Sequence, residues 1–307
     1  MPHNRFMMLN RLTAWGMIAF FISLFSDIAA QVKPAAYQAE IKEWDAKRLE
    51  SLKSANGWVN LAGLYWLKPG ENRFGKGKTN ELVFDHPEFP EQLGTFVLTE
   101  KEVKWKTASG QSVLDKNTPV QDAVIFQVEG GQPQSLSYKT FRWSIIKRED
   151  LIGVRLRDLA NPALDKLQQI DRFKASTQWV IKATFEPSLI PTILTTNILG
   201  QTYSQPHPGK VVFEVNGKKY ALDVVDEGDP DAYHIVFGDV TNGEETYASG
   251  RFLDIPKPDA NGNTVIDFNK TYNPPCAFSE FSTCPIPSKA NTLPIRILAG
   301  EKKVNDH

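Results

Sequence analysis

Apolar positions in residues 35–55 recur at helical spacing. Tyr37, Ile41, Trp44, Leu49 and Leu52 fall near one face, with charged residues between them. Pro34 stands at the start, Glu43 and Lys47 form a favourable i,i+4 pair, and Asn56-Gly57 supplies a stop. This pattern predicts one amphipathic helix, expected to pack across a sheet. After Gly57 the period changes. Short apolar or alternating runs, divided by Gly, Pro, Asn and Asp, predict strands at 58–67, 95–98, 103–106, 123–128, 136–138, 141–146, 151–156, 179–185, 211–215, 220–225, 233–237, 246–253, 264–268 and 293–298. Asn216-Gly217 between two of them predicts a hairpin, since both residues tolerate the positive φ of a type I′ turn; Lys218 and Lys219 leave its register open.

Many short strands without intervening helices predict a mostly β fold, an antiparallel sandwich or barrel with one N-terminal amphipathic helix. Residues 31–307 are read as a single β-rich domain, with a seam marked by proline-bearing breaks near 187–209.

The first thirty residues stand apart. Arg5 and Arg11 precede an apolar run from Ala14 to Phe25, followed by small residues ending at Ala30. That layout predicts a signal peptide over 1–30, cut after Ala30, and export to the periplasm or the extracellular space. The run is too short for a transmembrane helix, which needs about twenty apolar residues, and no later segment predicts a span. With 35 basic and 36 acidic residues there is no electrostatic footprint for nucleic acid.

The chain has no Gly-x-Ser-x-Gly elbow, no phosphate-binding Gly-Lys-Ser/Thr loop, no Gly-x-Gly-x-x-Gly and no His-Glu-x-x-His. No cofactor is therefore expected. His86, His207, His234 and His307 lack metal-ligand spacing, and no metal site is expected. His234, in an apolar strand, reads as a satisfied edge or core residue. Cys276 and Cys284 are the only cysteines. In an exported protein they predict a disulfide, worth about 2.6 kcal/mol in the chain-entropy model. A metal pair or a redox-active dithiol is the rival reading.

Phe237-Gly-Asp-Val-Thr-Asn-Gly-Glu-Glu-Thr-Tyr247, Gly250-Arg-Phe-Leu253, Asp267-Phe-Asn269, Tyr272-Asn-Pro-Pro-Cys-Ala-Phe278 and Thr283-Cys-Pro285 together form a string that resembles the family named domain of unknown function 1684. Trp44, Arg48, Leu52, Gly57-Trp-Val-Asn-Leu-Ala-Gly-Leu-Tyr-Trp-Leu67 and Gly70-x-Asn-Arg-Phe-Gly75 resemble the N-terminal signature of the same family, and Asn291-x-Leu293 and Ala299-Gly-Glu-Lys302 continue the C-terminal string, so that the resemblance runs from about Tyr37 to Lys302. It implies a bacterial or archaeal protein of uncharacterised role and supplies no reaction.

Two functional classes follow. The first is an exported binding or structural protein whose ligand, a small molecule or saccharide, sits in a polar pocket near the 267–284 loop. Arg251, Asn269, Tyr272 and Asn273 are its candidate binding residues. The second is a hydrolase of saccharide or cell-envelope material, with Asp267 and Glu301 as a carboxylate pair. Asp267-Phe-Asn269 also suits a turn in which the side chains bond their own backbone. Arg142, Arg155 and Arg157 alternate with apolar strand residues; they either face water, pair with carboxylates or converge on an anion. Most tryptophans are assigned to the core.

Overall fold

The computed structural model describes residues 34–304. The expected signal peptide and its cleavage point lie outside these residues. The helix, α1, spans Pro34–Lys53, and the predicted Glu43–Lys47 pair forms on its exposed side. It lies against connecting segments rather than across a sheet. Tyr37 Oη donates to Asp267, Gln38 Nε2 to the Ala175 carbonyl and Lys53 Nζ to the Leu167 carbonyl.

The first half of the chain supplies β1 (Leu61–Trp66), β2 (Gly70–Gly75), β3 (Leu82–Val83), β4 (Gly94–Leu98), β5 (Glu102–Thr107), β6 (Val113–Asp115), β7 (Thr118–Val120), β8 (Asp122–Gln127), β9 (Ser135–Tyr138), β10 (Phe141–Arg148) and β11 (Leu151–Asp158). They form an open sheet in the order β1-β11-β10-β9-β6-β7 and another in the order β3-β2-β4-β5-β8. All pairings are antiparallel except β2 with β3. Neither sheet closes on itself, so the barrel alternative gives way to open sheets facing each other. Their inner faces share one core, in which the Phe74 ring meets Phe89, Phe96 and Trp143 at centroid distances of 5.0, 5.7 and 6.0 Å. β2 escaped prediction because it is polar. Its buried Asn72 is satisfied locally, with its side chain bonded to the backbone of Lys68 and Gly70.

The second half supplies β12 (Val180–Pro187), β13 (Thr192–Thr196), β14 (Thr202–Pro206), β15 (Gly209–Val215), β16 (Lys218–Val224), β17 (Ala232–Phe237), β18 (Arg251–Pro256) and β19 (Asn263–Asp267). The order β16-β15-β12-β19 makes one sheet, and β13-β14 and β17-β18 are hairpins. A second core gathers here around Phe213, Phe237, Leu253, Ile266 and Phe268. The 187–209 breaks frame the β13-β14 hairpin. At the predicted turn, Asn216 and Gly217 have φ of 51° and 75° and Val215 pairs with Lys218, which settles the register as a two-residue loop.

Residues 293–298 are not a strand. Only isolated backbone bonds join them to 238–240, Leu293 N to the Gly238 carbonyl and Val240 N to the Ile295 carbonyl; the rest of the segment is held by side chains, Ile297 N donating to Asp239 and the Ile297 and Ala299 carbonyls accepting from Arg251. Strand 246–253 is likewise shortened to begin at Arg251, after Gly250. That glycine has φ of 91°, and a Cβ there would lie 2.3 Å from Pro287 and 2.7 Å from the Phe237 carbonyl.

Phe74→Ala should empty the centre of the first core and cost about 3–5 kcal/mol. Urea unfolding would check this, a loss below about 1 kcal/mol contradicting the packing described.

Candidate functional site

β10 and β11 alternate strictly. Phe141, Trp143, Ile145, Val154 and Leu156 point into the core, so Arg142, Arg148, Arg155 and Arg157 share the opposite face. Arg142 pairs directly across from Arg157, and like charges in that relation are destabilising. Arg157 is absorbed structurally, bonded to the Gly57 carbonyl and to Asn60 Oδ1 at 2.9 Å. Arg155 is not. It is 9% exposed, stacks over Trp58 at 5.1 Å, and its Nε is buried without a partner. No carboxylate pairs with it among the described residues. Burial, then the charges of Arg148 and Arg157, push its guanidinium down to about 10.

Arg155 lines a cavity of about 450 Å3 together with Lys147, Arg148 and Trp58 on one side and the 197–205 hairpin and residues 282–285 on the other. Arg148 donates from Nε to Thr283 Oγ1 at 3.3 Å and carries no carboxylate partner either. A second cavity of about 550 Å3 shares Trp58, Glu227, Phe252, Pro275 and Pro285 with the first, making one groove with two chambers.

Trp44, Arg48, His234, Asp254 and Tyr272 also line the second chamber. His234 lies directly across the β17-β18 hairpin from Asp254, so their side chains share a face. His234 Nδ1 meets Asp254 Oδ1 at 2.7 Å, and Tyr272 Oη donates to Asp254 Oδ2 at 2.9 Å. The protein packed round Asp254 disfavours its charge. The hydrogen bonds from His234 and Tyr272, with the charges of His234 and Arg48, outweigh that and hold the carboxyl below its usual range. Burial, then the Asp254 charge, pushes the Tyr272 phenol up. Arg48 stacks over the Tyr272 ring at 4.6 Å.

Of the candidate binding, carboxylate and disulfide residues named from the sequence, Tyr272 and Cys284 line this groove, as does Arg155 from the arginine alternation and His234, read there as an edge or core residue. Arg251 is 1% exposed and occupied by Asp239 at 3.2 Å and by the carbonyls of Ile297 and Ala299. Asn269 is buried and bonded to Ser176, Tyr37 and Asp267. Asp267 accepts from Asn269 N at 3.1 Å, closing the local turn. Glu301 is buried, accepting from Asn273 N at 2.7 Å and from Arg48 Nε at 3.2 Å; burial raises its carboxyl against the pull of Arg48. Asn273 donates from Nδ2 to the Lys302 carbonyl. Neither Asp267 nor Glu301 borders either chamber.

The expected disulfide is corrected. Cys276 and Cys284 are free thiols. The loop does bring them together, but through hydrogen bonds: Cys276 N donates to Cys284 Sγ at 3.1 Å and Cys284 N to Cys276 Sγ at 3.3 Å. Each sulfur serves as the other residue's acceptor. The Cys284 hydrogen bond, opposed by burial and helped by Ser282, lowers Cys276 to about 6, while the same pairing and burial raise Cys284.

His234, Asp254, Arg48, Trp44, Trp58 and Arg148 were not singled out as site residues. The histidine and aspartate stand twenty positions apart, on strands whose pairing no local spacing encodes. The arginine alternation was visible, but not which of its members lacked a partner.

Iodoacetamide should alkylate Cys276 with a rate that rises through about pH 6 and levels off above it, because the thiolate is the nucleophile. Cys284 should stay unmodified in the folded protein. Peptide mass spectrometry checks both; a midpoint near the ordinary thiol value of about 8.5 contradicts the pairing described.

No curated protein matches the chain. Among solved structures, the solution structure of an uncharacterised protein from gene locus rrnAC0354 of Haloarcula marismortui is similar at 23% identity and a TM-score of 0.40, covering 47% of this chain and 80% of that one. Residues 165–302, which contain the C-terminal motif string, match the family model described as "Protein of unknown function (DUF1684)".

Proposed function

We propose that the protein is an exported binding protein for a small anionic molecule, held in the two-chambered groove. The observation that carries this reading is Arg155. Leaving a guanidinium nine-tenths buried without a carboxylate is costly, and the like charges of Arg148 and Arg157 add to the cost. A carboxylate or phosphate would offset it, because the planar fork matches such groups in a bidentate fashion. Export rests on Arg5, Arg11 and the apolar run that follows them.

Arg155→Met keeps an apolar stem against Trp58 and removes the charge. In buffer free of multivalent anions the variant should melt above the parent, since an uncompensated buried charge is gone. Phosphate at a hundred times its Kd should stabilise the parent by about 2.7 kcal/mol, several degrees in Tm, and leave the variant unmoved at matched ionic strength. An equal phosphate response in both proteins sinks the proposal.

One observation favours a hydrolase as the second reading. With Nδ1 committed to Asp254, the neutral His234 ring keeps its lone pair on Nε2, the arrangement of a general base. The base is then His234, not the Asp267–Glu301 pair. His234→Gln should abolish hydrolysis of 4-nitrophenyl esters or glycosides while sparing phosphate binding; turnover that survives the substitution removes this reading.

A further inference from the structure

Resting on the anion-binding reading, we infer that the ligand is a sugar acid, a polyhydroxylated ring bearing one carboxylate, seated with the carboxylate on Arg155 and Arg148 and its ring against Trp58. The first chamber holds more than positive charge. Among the described residues, the side chains of Tyr203, Gln205 and Glu227 border it without a hydrogen bond of their own, and Gln201 keeps its Nε2 free after Oε1 accepts from Asn197. These groups form a mixed set of donors and acceptors, suited to hydroxyls that donate and accept at once.

The two carboxylates of the chamber decide between anions. Glu149 and Glu227 line the same cavity as Arg155. Facing a compact anion such as phosphate, which is partly dianionic near neutral pH, they are repulsive, and its one or two P–OH groups leave little for them to accept. Facing a monoanion that carries hydroxyls, Glu227 becomes an acceptor for their protons. Trp58 adds the third element. It packs partly against the small Leu52, Val59, Ala277 and Phe278 cluster, but it is only half-buried and borders both chambers, so the rest of the ring offers an apolar wall to the C–H face of a sugar. A cavity of about 450 Å3 lies within the ordinary size range of small-ligand pockets.

Isothermal titration of the full mature chain with D-glucuronate, D-glucose, acetate and inorganic phosphate tests this directly. Glucuronate is expected to bind at least about tenfold more tightly than each of the others. Gln205→Ala and Tyr203→Phe, which remove no core packing, should each weaken glucuronate by about threefold to tenfold and leave acetate unchanged. If acetate or phosphate binds as tightly as glucuronate and requires Arg155, the sugar-acid assignment is wrong and the anion site stands. If glucose binds as tightly as glucuronate, or no anion binds at all, both readings fail together.

Discussion

The guanidinium of Arg251 and the carboxylate of Asp239 meet with almost no solvent contact, and one wall of the second chamber is tied to that pair. Asp239 also accepts from Ile297 N and from Thr241, while Arg251 takes the carbonyls of Ile297 and Ala299. The chain near its C-terminus is thereby strapped across β18 without forming a strand. The strap delivers Glu301 to a fixed point, where it receives Asn273 N and Arg48 Nε. Arg48 in turn lies over Tyr272, which holds Asp254 against His234. A buried ion pair is weak evidence for net stability, because desolvation offsets much of its attraction. Here it gives position: charge, satisfied in one geometry, sets where an irregular segment goes.

The contrast between Arg251 and Arg155 separates structure from function. Both are buried arginines on strands, and burial lowers both to about 10. Arg251 has a carboxylate and three carbonyls within reach. Arg155 has an indole face and two like charges nearby. The first contact set is complete within the chain. The second holds no carboxylate among the described residues, leaves Nε without a partner, and opens on a cavity.

Much of the fold was legible, and for local reasons. Burial of one face imposes a period, so the helix, the alternation of β10 and the Asn216-Gly217 hairpin could be read directly. β2 was missed because its buried position is an asparagine satisfied by neighbouring backbone. The 293–298 run has the apolar pattern of a strand because Leu293 and Ile297 are buried, yet beyond isolated bonds to 238–240 its backbone is held by the side chains of Asp239 and Arg251. Two cysteines in one loop were read as a bond; their sulfurs lie together as hydrogen-bond acceptors instead. Among the candidate site residues, Asp267, Asn269, Arg251 and Glu301 were visible as polar groups in apolar surroundings. That signal does not distinguish a buried network from a binding site, and here each is consumed by the network.

The sequence by itself determined the mostly β class, the placement of the helix, the hairpin turn and the family likeness of residues 165–302, because each depends on neighbours along the chain. Only the tertiary structure decided which charges are paired. Arg155 and Arg251 stand in similar alternating contexts, and nothing near either residue says that one will meet Asp239 and the other a cavity. His234 and Asp254 likewise become a pair only when β17 and β18 align. Pairing is a long-range property: the energy of a buried charge depends on what the rest of the fold brings within a few ångströms of it.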